Sequence, residues 1–306
     1  MSNGQGIVAR KLEAEKWGLQ DVLEVRHIVR QMLPERRIFE EYAGKGGKLP
    51  VADGEIVGKW ILDDVEAFKA AAEKAASPLA KFLLAMRRFE EGRRDASIEA
   101  CRKLSDEMKD AWCTVVISEL LIRAGKVDEA EKMLGRVPKE LEGNAVTDYL
   151  LGRAAEARCE WGEAVDRYSS ALAKNAGMPE AAFRKAYVLD LRGHDDAALE
   201  AYRLAGLSKN RFAGALVNMG LLYEERGELE KAITCFKEAL RVLPADRRVA
   251  LYLTGAMEAT QEVYDEAERK EMERVRKLLR TPLAEFELSV RSRNCLTRMG
   301  LNTLWD

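Results

Sequence analysis

The chain has 306 residues, of which 47% are apolar and 33% charged, with a formal net charge of −2. That is enough length and apolar content for two average domains or one long repeat array. The near-neutral charge argues against a surface that coats nucleic acid or membrane throughout.

No run of about 18 apolar residues occurs, so no membrane span is expected. The amino terminus, "MSNGQGIVARKLEAEKW", lacks the apolar stretch of a signal peptide, and a cytoplasmic location follows as the expectation. The five cysteines (Cys101, Cys113, Cys159, Cys235 and Cys295) are scattered and form no CxxC pair. They read as small hydrophobes in a reducing compartment, not as disulfides or a zinc site. Only two histidines occur, His27 and His194, too few for most histidine metal sites and hydrolase triads. No metal, cofactor or small-molecule substrate is expected.

In chain order, residues 1–77 read as a helical cap or interaction segment. In "DVLEVRHIVRQML", Val22, Val25, Val29 and Met32 recur at helical spacing, and Leu23, Ile28 and Leu33 widen the stripe. His27 on that helix reads as a surface or packing residue. "YAGKGGKLPV" has the glycines and lysine of a phosphate loop but not the G-x-x-x-x-G-K-[ST] order, and it reads as a loop. "GKWILDDVEAFKAAAEKAA" reads as one further amphipathic helix.

From residue 78 the sequence repeats itself. "GRRDASIEAC", "GKVDEAEKML", "WGEAVDRYSSAL", "GHDDAALEAY" and "GELEKAITCF" share one template. Its small residue falls at Ser97, Ala130, Ala164, Ala198 and Ala232, at spacings of 33, 34, 34 and 34. Four residues later stand Cys101, Leu134, Tyr168, Tyr202 and Phe236. Another small residue precedes each template: Ala85, Ser118, Gly152, Ala186 and Gly220. Two helices that approach closely need small residues where their backbones meet, and a large side chain on the same face fills the groove beside that contact. Gly92, Gly125, Gly193 and Gly227 sit where a left-handed residue would end the first helix of each pair.

This pattern resembles the tetratricopeptide repeat, as five units over 78–246. The resemblance implies an all-α fold, a right-handed superhelical array of helix pairs with an N-terminal helical cap and a partial C-terminal helical module. The first helix of each pair would line a concave groove. Its groove positions would be Tyr149, Arg153, Phe183, Arg184, Tyr187, Val217, Asn218, Leu221, Arg248 and Tyr252. This mixture of aromatic and polar side chains suits a peptide or protein partner. Asn218 and Arg248 match two positions of the carboxylate clamp found in some such repeats. Phe183 and Tyr187 replace its other partners, so a clamp is not expected.

Residues 247–280 read as a degenerate sixth helix pair whose second helix is long and charged, capping the array. Six basic and two acidic residues fall within 269–280. Thr281 and Pro282 then break the helix, and residues 281–306 read as a separate module. Phe286, Leu288 and Val290 supply apolar contacts, Ser289 or Ser292 a helix cap, and Gly300 the end of a short helix. "LNTLWD" would begin another, capped by Thr303. On a helical wheel Arg291, Asn294 and Arg298 cluster beside a face of Cys295, Leu296 and Met299.

"FELSVRSRNCLTRMGLNTLWD" resembles the start of the C-terminal domain of the bacterial RNA polymerase alpha subunit, a helix-hairpin-helix domain. Val290, Arg291, Ser292, Asn294, Cys295, Leu296, Gly300, Leu301, Thr303, Leu304 and Asp306 carry the likeness. The resemblance implies DNA backbone and minor-groove contacts at Arg291 and Asn294, with Arg298 beside them. It also implies RNA polymerase or promoter DNA as a second partner. The family domain continues past the position of Asp306 with a glycine-lysine-serine hairpin, so this segment is expected to be only the front of the module.

The sequence shows no nucleophile–histidine pairing, metal spacing or true phosphate loop. A non-catalytic adaptor linked to transcription is therefore expected, with a general cytoplasmic scaffold lacking any DNA role as the alternative.

Overall fold

A computed structural model describes residues 7–31, 33–45, 47–206, 212–286 and 295–305. Among them, regular structure is helical apart from one isolated bridge between Pro282 and Thr303. The chain divides into two compact units, Met1–Ala215 and Leu216–Asp306.

The first unit opens with α1 (Ile7–Leu12), α2 (Leu19–Gln31), α3 (Leu33–Gly44), α4 (Gly54–Ile61) and α5 (Val65–Ala72). Val22, Val25, Ile28 and Val29 of α2 are buried, the stripe anticipated from their spacing. Met32 lies outside the described residues. Three carboxylates fasten these helices. Glu35, buried on α3, accepts the Ile7 and Val8 backbone N–H groups at 2.9 Å each. Asp53 accepts the N–H of Ser77 at 3.2 Å. Asp110 accepts Leu19 N–H at 2.9 Å and Trp112 N–H at 2.9 Å, so one side chain serves the starts of two helices.

"GKWILDDVEAFKAAAEKAA" is two helices, not the single one expected. Asp63 takes a left-handed φ of 65°, and Asp64 accepts Ala67 N–H at 3.3 Å to start α5. Adjacent aspartates combine tolerance of the left-handed region with a capping oxygen, and here they override the apolar stripe.

Four helix pairs follow in this unit: α6 (Pro78–Glu90) with α7 (Arg94–Met108), α8 (Trp112–Arg123) with α9 (Val127–Leu134), α10 (Ala145–Ala157) with α11 (Trp161–Lys174), and α12 (Pro179–Leu191) with α13 (Asp195–Gly206). Ser77 caps α6, accepting Ala80 N–H at 3.2 Å, with Pro78 in the first turn. Asn144 caps α10, accepting Val146 N–H at 3.0 Å. The core of α1–α5 is continuous with that of the first two pairs and reaches α10 of the third, running from Val8 to Ala154.

The turn between paired helices holds Gly92, Gly125, Gly193 and Gly227 at φ of 93°, 80°, 71° and 72°. The third pair places Cys159 there instead, at φ 61°. The 34-residue period thus imposes the left-handed conformation even where the residue disfavours it.

The division between units falls inside α14 (Ala213–Glu225), which is followed by α15 (Leu229–Val242) and α16 (Arg247–Leu279). Leu216, Ala232, Phe236, Ala239, Val249 and Ala256 form the core of the second unit. Residues 247–279 are one helix of 33 residues, not the degenerate pair expected. No proline or left-handed glycine interrupts it. Gly255, the only glycine in the span, keeps helical geometry in open space. Asp246 starts it, accepting Arg248 N–H at 2.9 Å.

Candidate peptide groove and carboxyl-terminal segment

Two of the repeats are clamped by a close approach. In α10 a Cβ on Gly152 would stand 2.6 Å from the Tyr168 ring of α11. In the second unit a Cβ on Gly220 would stand 2.5 Å from the Phe236 ring. Tyr168, Tyr202 and Phe236 are fully buried. The tyrosine hydroxyls still find acceptors: Tyr168 donates to Glu156 at 2.6 Å and Tyr202 to Asp190 at 2.9 Å. Burial and the Glu156 carboxylate together push the Tyr168 phenol far up, so it is a permanent donor.

The expected groove residues of the first unit gather on α10 and α12. Tyr149 and Arg153 are one turn apart, and the Arg153 guanidinium donates to the Tyr149 hydroxyl at 3.4 Å. The Tyr149 ring lies 6.0 Å from that of Tyr168, and burial raises its hydroxyl pKa. Phe183 sits among three rings, with centroids 4.8 Å from Phe212, 5.9 Å from Tyr202 and 6.5 Å from Tyr187. Arg184 pairs with Glu156 at 3.3 Å and lies 5.9 Å from the Tyr187 ring centroid. Glu156 of α10 therefore joins Tyr168 of α11 to Arg184 of α12. Sequence pattern alone does not single out Glu156, although its 34-residue equivalents Asp190 and Glu224 carry the same acidity.

Those of the second unit are spread differently. Val217 and Leu221 are half-buried against the core of α14–α16. Asn218 is half-buried on the same helix. Arg248 is exposed, with its guanidinium 3.2 Å from Asp246. Tyr252 is partly exposed, its ring 5.7 Å from that of Phe236.

In the first two repeats, the first helices meet the amino-terminal helices: α2 packs against α8, and α4 against α6. His27 of α2 is partly exposed, its Nε2 3.3 Å from Glu180 at the start of α12.

At the carboxyl end, residues 295–305 fold back on the end of α16. Leu283 N–H donates to Asn302 O at 2.8 Å, Trp305 N–H to Leu279 O at 2.9 Å, and Leu304 N–H to Thr281 O at 3.4 Å. Gly300, at φ 78°, ends the short turn from Cys295. "LNTLWD" is not the helix expected, because its backbone pairs instead with Leu279 at the end of α16 and with Thr281 and Leu283 just beyond it. Arg298 is exposed. Arg291 and Asn294, its expected companions, lie outside the described residues, as do Ser289 and Ser292.

No helix is long and apolar enough to cross a membrane, and no group of three or more metal-ligating side chains occurs, both among the described residues.

The tetratricopeptide repeat family matches residues 149–210 and 213–246. The family of the carboxyl-terminal domain of the bacterial RNA polymerase alpha chain matches 269–306, a span that begins inside α16. No curated protein matches. Among solved structures, the protein is similar to MamA at 25% identity and a TM-score of 0.42, covering 54% of this chain and 96% of that one. It is similar to TTC0263, a thermophilic TPR protein of Thermus thermophilus, at 17% identity and a TM-score of 0.49, covering 59% and 98%. With the APC/C hetero-tetramer Cut9–Hcn1 it shares 13% identity at a TM-score of 0.54, covering 78% of this chain and 49% of that one. That last likeness shows the fold alone.

Proposed function

We propose that this protein, whose tetratricopeptide repeats are followed by a segment like the C-terminal domain of the RNA polymerase alpha subunit, is a non-catalytic adaptor that holds a protein partner on its repeats. The observation that carries this reading is the side-by-side placement of Tyr149, Arg153, Phe183, Arg184 and Tyr187 on two consecutive first helices. Half-buried rings interleaved with guanidinium groups give a peptide both apolar surface and fixed donors. Tyr187 and Arg153 are the specificity positions. Phe183 belongs half to the aromatic core behind it, and Arg184 is held by Glu156. In the second unit, Arg248 and Tyr252 present a second such pair.

The carboxyl-terminal segment supports a link to transcription, through RNA polymerase or promoter DNA. Its exposed Arg298, and Arg291 and Asn294 earlier in the same segment, are the residue types that meet phosphates and minor grooves.

Affinity capture with the wild-type protein, set beside Arg153→Ala and Tyr187→Ala variants of unchanged circular dichroism, tests the groove. A partner held by the wild type and lost from both variants is the expected result; equal recovery by all three proteins overturns the assignment. For the transcription link, binding to AT-rich duplex at low salt should weaken in Arg291→Ala and Arg298→Ala. Unchanged binding, together with no recovery of RNA polymerase, leaves the scaffold without a DNA role.

A further inference from the structure

A cavity of about 630 Å³ lies between α2 and α4 on one side and α6 and α8 on the other. Its walls carry Arg26, Arg30, Arg87 and Arg123. Trp60, Leu23 and Met86 supply apolar surface. Two carboxylates, Glu90 and Glu119, also line it, so the four guanidinium groups outnumber the acids of the wall.

The acids do not quench these arginines evenly. Arg123 is satisfied, with its two Nη atoms 2.8 and 3.0 Å from the two oxygens of Glu90. Arg26 and Arg30 share Asp63, at 3.0 and 3.6 Å. Arg87 reaches only the rim, 3.9 Å from Glu91, and Glu91 is already held by Lys69. The Nε atoms of both Arg26 and Arg87 are buried with no acceptor. Arg26 sits over Trp60, its guanidinium carbon 3.7 Å from the ring centroid, with only 14% of its side chain exposed. Burial, with repulsion from Arg30 and Arg87, lowers its pKa to about 10. Gathering guanidinium charge on a partly desolvated wall is costly unless an anion meets it. A planar guanidinium held against an indole is also pre-organised for a two-pronged grip on an oxyanion.

We propose that this cavity binds a small oxyanion, a phosphate or carboxylate ligand no larger than a mononucleotide, gripped by Arg26, Arg30 and Arg87. The volume falls within the usual range for small-ligand sites, roughly 300–1,000 Å³. Glu90 and Glu119 limit the total charge admitted, which favours one anionic group over a polyanion. The site is formed jointly by the amino-terminal helices and the first two repeats, so an anion held by Arg26, Arg30 and Arg87 would tie α2 to α6.

Inorganic phosphate, AMP and citrate, each titrated at constant ionic strength into the full-length protein, test the site. Calorimetry gives the affinity, and thermal melting follows stability. At least one probe is expected to bind the wild type saturably and raise its melting temperature, and which one does so separates phosphate from carboxylate ligands. Arg87→Gln and Arg30→Gln, both at half-buried or exposed positions that spare the core, should each weaken that binding about tenfold, the loss of one charge-assisted contact. Absence of saturable binding by all three probes overturns the proposal, as does equal affinity in the wild type and both variants.

Discussion

The ring of Tyr168 lies against the backbone of Gly152, so close that a Cβ there would stand 2.6 Å from its nearest carbon. Alanine is the better helix former by about 1 kcal/mol, yet this site has no room for it. Gly152→Ala should therefore destabilise the protein by about 1–3 kcal/mol, the usual cost of overpacking a filled core. Urea denaturation measures it, and a stabilised variant would show that the α10–α11 contact yields readily.

Removing only the hydroxyl separates packing from hydrogen bonding. Tyr168→Phe keeps the ring and withdraws a donor from Glu156, which retains Arg184 at 3.3 Å. The expected loss is about 1–2 kcal/mol, and Tyr202→Phe should lose a similar amount through Asp190. Phe236 already stands at the equivalent place in the next repeat, so the fold tolerates the change.

Cys159 occupies a left-handed turn that four other repeats give to glycine. Cys159→Gly should raise stability by about 1 kcal/mol, the strain removed less the added freedom of the unfolded state. A lower melting temperature would indicate that the thiol makes contacts worth more than the strain.

Thiol reactivity should divide by burial. Burial pushes Cys101 up to about 12 and Cys113 up to about 11, leaving almost no thiolate at neutral pH. Cys159 and Cys295 are exposed. Brief iodoacetamide treatment of the native protein, read by peptide mass spectrometry, should label the exposed pair and reach Cys101, Cys113 and the likewise buried Cys235 only after denaturation.

Glu90 gives a pH signature. The hydrogen bond from Arg123 holds its carboxyl below the ordinary value of 4.5. A depressed folded pKa contributes stability that is present above 4.5 and lost as pH falls through the folded value. Glu90→Gln should therefore melt with less pH dependence below 4.5 than the wild type. Parallel curves for the two proteins would mean that solvent screens this half-exposed pair completely.

Much of the repeat architecture was legible because its determinants recur at a fixed period. Gly152 with Tyr168 and Gly220 with Phe236 are visible as spacing before any coordinates. The acid that receives each tyrosine hydroxyl has the same period, but its role depends on which way the ring lies. The breaks were harder. Asp63 and Asp64 sit inside an apolar stripe, and only their backbone geometry reveals the turn. Residues 247–279 lost the repeat signature, and nothing in them replaced the glycine that elsewhere divides a pair. At "LNTLWD" a distant demand won, since the carbonyls of Leu279 and Thr281 claim its N–H groups. The arginine cavity was not legible at all: Arg26 and Arg87 are 61 positions apart, with no motif to join them.

The unbroken α16 also fixes a distance and a phase. Among the described side chains, Ala256 is its last in the core of the second unit, and 23 residues follow it to the end of the helix at Leu279. At 1.5 Å per residue these make a rod of about 35 Å, ending in the segment that carries Arg298. Adding or removing one residue in this stretch would barely change the reach, but would swing that segment by roughly 100° about the rod. Whatever the two ends hold must therefore meet at one rotational setting as well as one span.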